Sequence, residues 1–295
     1  MLNSKNSYKI LKIKKIIPQT PSIKTFVFDW DMKKFEIPYP GQFLMVWNFN
    51  GIGDENDEKP MSISKIDRDN NEIAITVKNI GPFTSGIHKL FVGDKLGLRG
   101  PYGNGFSIEG DKILAIGGGV GMAPISAFVK DAIENGKDVD VISASQTKEE
   151  LLFYQNNDFL FVEDANFPEK DNIENLNIYT CTDDGTCGFK GFATHRALDL
   201  LNDKTKEKKY DSVVVCGPEI MMKAIYDIFE DENIPGQYSF ERYMKCAMGI
   251  CGQCCTDNTG WRVCVEGPVF NNKQIKQIFE FGKYRRDASG IKHYY

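Results

Sequence analysis

Residues 22–30, SIKTFVFDW, alternate with the two-residue period of a β-strand. GQFLMVWN at 41–48 and NEIAITVKN at 71–79 are further strand-like runs, with glycine and proline between them. Several short strands at this spacing predict a small antiparallel barrel. The acidic stretch at 53–59 predicts a solvated loop, and the glycine-rich GPYGNGF at 100–106 predicts the exit from the barrel.

From Lys112 onward the pattern changes to strands that alternate with amphipathic helices. The predicted strands are KILAIGGG at 112–119, DVDVISAS at 138–145, NIYTCTDD at 177–184 and DSVVVCGP at 211–218. Helical spacing of apolar residues predicts helices after the first strand and at 148–155, 192–201 and 219–230. This alternation predicts a doubly wound parallel sheet, in which ligands bind at the carboxyl ends of the strands.

We therefore expect three parts in the 295 residues. The antiparallel barrel occupies 1–107, the α/β nucleotide domain 108–235, and a small cysteine-rich domain with a tail 236–295. The last part holds five of the eight cysteines.

The overall charge and hydropathy exclude some classes of partner. A net charge of −5 and a pI near 5.4 argue against nucleic acid and against an anionic membrane surface. No apolar run approaches the roughly 20 residues that span a bilayer, and lysines interrupt the apolar residues of the N-terminus. These features predict a cytoplasmic protein, in which clustered cysteines more often hold a metal or do redox work than form disulfides.

The cysteine segment has the spacing of an iron–sulfur site. Cys246, Cys251 and Cys254 form a C-x4-C-x2-C arrangement, and Cys264 follows ten positions later. This is the plant-ferredoxin spacing for a 2Fe–2S cluster held by four thiolates. The alternative is structural zinc, which usually shows two close cysteine pairs where this chain has one. We expect the neighbouring Cys255 to pack in the loop and not to bind iron.

Two glycines separate the expected cluster ligands. Gly249 and Gly252 can adopt the positive φ that a loop wrapped tightly around a cluster requires.

A glycine-rich loop follows the first strand of the second domain. The sequence AIGGGVGMAP at 115–124 reads G-x-G-x-x-P from its third glycine. Glycines at this place let backbone N–H groups approach a pyrophosphate at the start of a helix. The alternative is a simple strand-to-helix turn. The candidate nucleotide-binding residues of this loop are Gly117, Gly118, Gly119 and Gly121.

Two later strand ends carry further candidate residues. Asp183 lies in TDDGTCG, and Cys216, Gly217 and Pro218 form the end of the last predicted strand. We expect Cys216 to lie against a nicotinamide ring, with a core cysteine as the alternative. The segment SQTKEE at 145–150 offers one lysine beside two glutamates, which favours NAD over NADP.

A barrel followed by a G-x-G-x-x-P domain resembles the ferredoxin reductase family, in which the barrel binds a flavin and the second domain binds NAD(P). Within that family, the cysteine loop ending in RVCVEGPVF is similar to that of the electron-transfer subunits of dihydroorotate dehydrogenase B. KPMSIS at 59–64, GPFT at 81–84, GPYGNGF, GGGVGMAPI and TDDGTCGFKGF match the same family in the same order.

The resemblance implies an FAD site on the barrel. Lys59 stands where the family more often has arginine, which keeps the charge but loses two-pronged hydrogen bonding. The residues implied for FAD are Lys59, Pro60, Met61, Ser62, Thr76, Val77, Lys78, Gly81, Phe83 and Thr84.

The resemblance also implies a function in pyrimidine biosynthesis. Electrons would pass from dihydroorotate to FMN on a separate catalytic subunit, then to the 2Fe–2S cluster, to FAD and to NAD. The implied assembly contains two copies of each subunit, and the cluster is expected to lie at a docking face formed by Met244, Met248, Ile250 and Trp261. One alternative is a related NAD(P)H-dependent reductase subunit linked to ferredoxin or to sulfur compounds. Another is a zinc-stabilised nucleotide-binding regulator without redox activity.

Overall fold

The computed structural model describes residues 5–49, 58–153, 173–203 and 210–295. Its N-terminal part is a closed six-stranded antiparallel barrel with strand order β1-β2-β5-β4-β3-β6, which confirms the predicted barrel. The strands are β1 Lys9–Thr20, β2 Ile23–Asp29, β3 Phe43–Trp47, β4 Glu58–Asp67, β5 Glu72–Lys78 and β6 Lys95–Tyr102.

The barrel core is built from the apolar positions of these strands. Phe26 and Phe28 are fully buried, together with Trp30 just after β2. A short helix, α1 Pro82–His88, follows β5 and buries Phe83 in the same cluster. The matching motif GPFT at 81–84 therefore forms the beginning of a helix, with Gly81 at its N-cap.

The second part is a seven-stranded sheet with strand order β10-β9-β8-β7-β11-β12-β13. All neighbours are parallel except β12 and β13. The strands are β7 Lys112–Gly118, β8 Asp138–Ser145, β9 Leu176–Thr182, β10 Phe189–Lys190, β11 Ser212–Cys216, β12 Gly236–Ser239 and β13 Val269–Asn271. The sheet therefore includes two strands from the segment after residue 235.

Helices cover both faces of the sheet, as the alternation of strands and helices predicts. The helices are α2 Met122–Glu134, α3 Ala193–Asn202 and α4 Glu219–Asp231. Side chains of α2 pack with Ile113 and Ala115 of β7, whereas those of α3 and α4 pack with Leu114 and Ile116. Successive residues of a strand point to opposite faces, so β7 contributes to both cores.

Two local predictions were wrong. The segment from Lys148 forms a 3-10 turn, Lys148–Glu150, in place of an α-helix, and residues 154 and 155 lie outside the described residues. Leu151, Leu152 and Phe153 are all buried, and three consecutive buried side chains leave no polar face for a surface helix. The predicted solvated loop at 53–59 was wrong at its end, because Glu58 and Lys59 begin strand β4. Its other residues, 53–57, lie outside the described part of the chain.

The C-terminal segment contains the cysteine loop, helix α5 Asn272–Ile275 and a hairpin of β14 Tyr284–Arg286 and β15 Lys292–Tyr294. The hairpin packs against the cysteine loop. Tyr284 donates its hydroxyl to Asp257 at 2.6 Å, and Arg286 donates to the same carboxylate at 2.8 Å. No helix in the described part of the chain is long and apolar enough to cross a bilayer.

Candidate nucleotide, flavin and cluster sites

The nucleotide candidates meet where the strand order of the sheet reverses. Chain order runs outward from β7 through β8 and β9 on one side, and from β11 to β12 on the other. The ends of β7 and β11 lie side by side, with Gly117 paired to Cys216. Open parallel sheets bind ligands at such a switch point. The structure therefore brings the glycine loop and the Cys216–Pro218 segment together.

Close packing explains most glycines of this loop. A Cβ on Gly121 would stand 2.4 Å from the carbonyl oxygen of Cys216, and one on Gly118 would stand 2.8 Å from Sδ of Met221. Gly119 differs, because it has φ of +54° and a Cβ there would meet open space. Gly119 is therefore the loop glycine whose surroundings leave room for a ligand.

Cys216 and Asp183 lie at the carboxyl ends of two strands of the same sheet. Burial raises the pKa of the Cys216 thiol to about 12, so the thiol is neutral at physiological pH. Desolvation also raises the pKa of Asp183, with its neighbour Asp184 adding to the shift. The backbone N–H of Asp183 donates to the carbonyl of Ser145 at 3.1 Å, which joins the ends of β9 and β8.

Replacing Gly121 by alanine will weaken binding of NADH. The added methyl must push the glycine loop away from the β11 end, at a cost of about 1–3 kcal/mol, or about 5- to 150-fold in Kd. Titration of NADH against the flavin-loaded protein measures this. Gly136→Ala is the control, because Gly136 lies beyond the far end of α2 with open space around its Cβ; its φ is +72°, whereas that of Gly121 is −61°. Unchanged NADH affinity in Gly121→Ala would contradict the placement.

The flavin candidates flank an opening where two barrel strands separate. Strands β4 and β5 pair with each other from Ile63 to Asp67 of β4. Before that point β4 pairs with β3, where Met61 lies opposite Leu44. Beyond Ile75, β5 pairs with β2, where Thr76 lies opposite Thr25. The segments 59–62 and 76–78 therefore form the two sides of a gap in the barrel wall.

The predicted flavin residues differ in what they expose to this gap. Lys59, Pro60, Met61, Ser62, Lys78 and Gly81 are half-buried or exposed, whereas Thr76, Val77, Phe83 and Thr84 are buried. The hydroxyl of Thr76 lies 2.8 Å from that of Thr25 and donates to that of Ser64 at 2.9 Å. The hydroxyl of Thr84 accepts the backbone N–H groups of Ile80 and Gly81 at 2.9 and 3.0 Å. The hydroxyls of Thr76 and Thr84 are thus already hydrogen-bonded within the chain. The side chains of the half-buried and exposed residues are better placed to contact a ligand.

The four expected cluster ligands form two pairs. The backbone N–H of Cys251 donates to the sulfur of Cys246, and that of Cys264 donates to the sulfur of Cys254, both at 3.4 Å. The first pair lies at the surface, since Cys251 is exposed, and the second pair is buried. The hydrogen bond from Cys264 lowers the pKa of Cys254 to about 6, and the same contact raises the pKa of Cys264.

Backbone N–H groups surround the sulfur of Cys246. Met248, Ile250 and Cys251 each donate an N–H to it at 3.4 Å. Burial opposes ionisation of Cys246, but these donors outweigh it and lower the thiol pKa to about 7. The thiolate is the form that binds iron. The loop adopts this shape with positive φ at Gly249 and Gly252, as expected, and also at Ala247.

The pairing of thiols fits two irons better than one zinc ion. Across the described residues, no three His, Cys, Asp or Glu side chains converge closely enough to hold a single metal ion. Structural zinc needs four donors around one centre, whereas the two irons of a 2Fe–2S cluster share four thiolates. Cys255 belongs to neither hydrogen-bonded pair, and burial raises its pKa.

One residue expected at the docking face lies elsewhere. Met244 is buried at 5% exposure in the core beneath the loop, so its prediction was wrong. Met248 and Ile250 are 39% and 78% exposed beside Cys251. Trp261 is half-buried and stacks on Phe270 with ring centroids 6.0 Å apart.

Several residues that shape the cluster loop were not predicted from the sequence. Arg262 pairs with Glu266 and donates to the carbonyl of Gly249 at 3.2 Å. Arg99 of β6 donates to the carbonyl of Cys246 at 2.8 Å. These partners lie 13 and 147 positions apart. Arg262 and Gly249 lie in the same loop, so their contact could be inferred from the local sequence. No sequence pattern indicates the contact between Arg99 and Cys246.

Known proteins match the chain in its parts and as a whole. Residues 241–276, which include all four expected ligands, match the iron-sulfur cluster binding domain of dihydroorotate dehydrogenase B. Residues 115–227 match the oxidoreductase NAD-binding domain. A probable dihydroorotate dehydrogenase B (NAD(+)) electron transfer subunit from Methanothermobacter thermautotrophicus is 47% identical over 98% of both chains. The chain belongs to the family of dihydroorotate dehydrogenase B electron transfer subunits.

A second member of this family, from Methanocaldococcus jannaschii, is 45% identical over 97% of this chain and 98% of its own length. Among solved structures, a chain of the NADH-dependent reduced ferredoxin-NADP oxidoreductase superimposes with a TM-score of 0.73, at 23% identity over 92% of this chain and 94% of its own. The ferredoxin reductase of carbazole 1,9a-dioxygenase follows with a TM-score of 0.59, at 20% identity over 77% and 66%. These likenesses show a ferredoxin-reductase-like fold, and the chain is an oxidoreductase subunit that transfers electrons.

Proposed function

We propose that this chain carries electrons between NAD and a separate FMN-containing dihydroorotate dehydrogenase catalytic subunit. FAD on the barrel and a 2Fe–2S cluster in the cysteine loop lie between these two ends. The observation that carries the proposal is that the cysteine loop lies against the flavin strand: the ammonium of Lys59 lies over the ring of Tyr243, 5.4 Å from its centroid. When bound, FAD exchanges electrons singly or in pairs, which matches a two-electron nicotinamide to a one-electron cluster.

The barrel residues divide the binding of FAD between them. Lys59 and Lys78 supply positive charge for the phosphates, and Ser62 supplies a hydroxyl. Pro60 and Met61 offer apolar surface on the same strand. The buried set Thr76, Val77, Phe83 and Thr84 contributes through its backbone and holds the shape of the gap.

The switch-point residues hold the nicotinamide nucleotide. Gly117, Gly118, Gly119 and Gly121 bring the start of α2 close to the pyrophosphate. Cys216, Gly217 and Pro218 lie at the nicotinamide end, and Asp183 lies at the end of β9, separated from β11 by β7 and β8. The charges near the ends of β8 and β9 are mostly negative, because Glu149, Glu150, Asp183 and Asp184 accompany Lys148. A 2′-phosphate is disfavoured in such surroundings, so NAD is the preferred nucleotide.

The outer thiol pair is the exit toward the partner. Cys251 is exposed, and Met248 and Ile250 place apolar side chains around it. Exposed apolar groups around a redox centre suit docking of another protein. The proposed docking face thus consists of Met248, Ile250 and the exposed edge of the cluster loop. The proposed assembly contains two copies of each subunit. We expect the chain in the reducing cytoplasm, because none of its eight cysteines forms a disulfide.

The purified chain will show flavin and iron–sulfur absorbance, and the flavin released on denaturation will be FAD. Lys59→Ala will retain less FAD, because a hydrogen bond to a charged group contributes about 1.5–3 kcal/mol. Equilibrium dialysis of FAD measures the loss. Lys12→Ala is the control, because Lys12 is exposed on β1, outside the proposed flavin site. Release of FMN alone, or a colourless protein that contains zinc, would contradict the proposal.

A further inference from the structure

A buried arginine joins the flavin strand to the cluster loop. Arg99 lies on β6 and forms a two-pronged ion pair with Glu58, with Nε to Oε1 at 2.7 Å and Nη2 to Oε2 at 2.5 Å. Glu58 directly precedes the flavin candidates Lys59–Ser62 on β4. The ion pair therefore holds the guanidinium at the edge of the proposed flavin site.

The same guanidinium reaches the first cluster ligand. Its Nη1 donates to the carbonyl of Cys246 at 2.8 Å and to the hydroxyl of Tyr102 at 2.9 Å. Its Nη2 donates to the carbonyl of Lys245 at 3.3 Å. With the two bonds to Glu58, all five N–H donors of the arginine have an acceptor. A lysine, with one nitrogen, cannot satisfy this arrangement.

Stability of the barrel alone does not account for these contacts. Within the barrel, Arg99 would need only Glu58 as a partner to form an ion pair, and buried ion pairs of this kind add little net stability. Two of the five donors are instead directed at backbone carbonyls of a distant segment of the chain. They hold the two peptide groups that flank Cys246, the second of which links Cys246 to Ala247.

This peptide controls the N–H groups around the Cys246 sulfur. Ala247 has φ of +56°, a left-handed conformation that is strained for a residue with a Cβ. The turn at Ala247 places the N–H groups of Met248, Ile250 and Cys251 on the sulfur. Hydrogen bonds to ligand sulfurs tune the reduction potential of an iron–sulfur cluster. Fixing the Cys246 carbonyl holds one side of this turn.

We propose that Arg99 is a positioning residue for electron transfer between the flavin and the cluster. It fixes the Cys246 end of the cluster loop against β4 and keeps Ala247 in the left-handed turn that directs three N–H groups at the ligand sulfur. This inference rests on the proposed placement of FAD and the cluster.

Arg99→Lys tests the proposal in the chain loaded with FAD and cluster. We expect iron and FAD contents to match the unmodified chain, together with a shifted EPR spectrum and reduction potential of the cluster. After rapid mixing with NADH, flavin reduction will be unchanged and cluster reduction about 10-fold slower or more, the usual effect of losing a partner of a metal ligand. Arg242→Lys is the matched control, because Arg242 forms a buried pair with Glu219 at 2.5 Å and donates to the Glu241 carbonyl. Its cluster spectrum will match that of the unmodified chain.

A second substitution distinguishes a positioning role of Arg99 from general disruption of the structure. Ala247→Gly removes the strain of the left-handed turn, so adding it to Arg99→Lys will move the EPR spectrum and the cluster reduction rate back toward those of the unmodified chain. An unchanged spectrum, potential and rate in Arg99→Lys would overturn the proposal. Equal spectral shifts in Arg99→Lys and Arg242→Lys, or loss of FAD and iron together from Arg99→Lys, would also overturn it. If the unmodified chain binds no FAD or no cluster, that result contradicts the proposed function itself, independently of the role of Arg99.

Discussion

Dihydroorotate oxidation coupled to NAD+ reduction will appear only when this chain is combined with its FMN-containing catalytic subunit. The chain by itself will pass electrons from NADH to an artificial acceptor and will not oxidise dihydroorotate. The physical reason is that the proposed sites are separate: the switch point is proposed to bind the nicotinamide nucleotide, the barrel to bind FAD, and the exposed Cys251 side of the cluster loop to face the partner. NADH formation from dihydroorotate, followed by absorbance, measures the coupling.

The matched pair Cys251→Ser and Cys255→Ser shows whether the cluster carries this coupling. The first variant removes a cluster ligand, so coupling will fall to background while NADH still reduces the artificial acceptor through the flavin. The second variant will couple like the unmodified chain. Dihydroorotate oxidation by the chain without its partner, or full coupling in an iron-free variant, would refute the proposed route.

Loss of iron will follow from replacing any one of Cys246, Cys251, Cys254 and Cys264 by serine. Each belongs to one of the two hydrogen-bonded cysteine pairs, and a 2Fe–2S cluster needs all four thiolates. Serine is a much poorer ligand, because its hydroxyl does not ionise near neutral pH. Iron analysis and the visible spectrum of each purified variant measure the loss.

Cys255→Ser provides the comparison within the same loop. Its side chain is outside both pairs, so iron content and spectrum will remain close to those of the unmodified chain. The FAD content of all five variants will stay the same, because the barrel holds the flavin candidates. Iron loss from Cys255→Ser together with retention in Cys254→Ser would reverse the ligand assignment.

The strand and helix pattern predicted the main architecture because local periodicity reports burial directly. The predicted strands at 112–119, 138–145 and 211–218 are β7, β8 and β11, with differences of at most two residues at any end. The pattern failed after Ser145, where Leu151–Phe153 are buried consecutively by contacts with other elements. Apolar residues in a short run do not reveal whether the chain is helical or extended.

The candidate sites were predictable to different extents. Motif spacing was enough to nominate the four cluster cysteines and the glycine loop, because cluster and phosphate binding require local loop geometry. Spacing did not reveal that the hydroxyl of Thr84 is bonded to the backbone of Ile80 and Gly81, or that Met244 is buried. Both outcomes depend on how neighbouring elements pack.

By itself, the amino-acid sequence indicated three of the six barrel strands and the alternation of the second domain, and it nominated four cysteines as cluster ligands. These features depend on side-chain period and on residues close together in the chain. Tertiary structure alone decided that β4 and β5 separate beside the flavin candidates and that β12 and β13 join the nucleotide sheet. It also decided that Arg99 reaches the Cys246 carbonyl. Such contacts join residues far apart along the chain, and only the packing of whole elements brings them together.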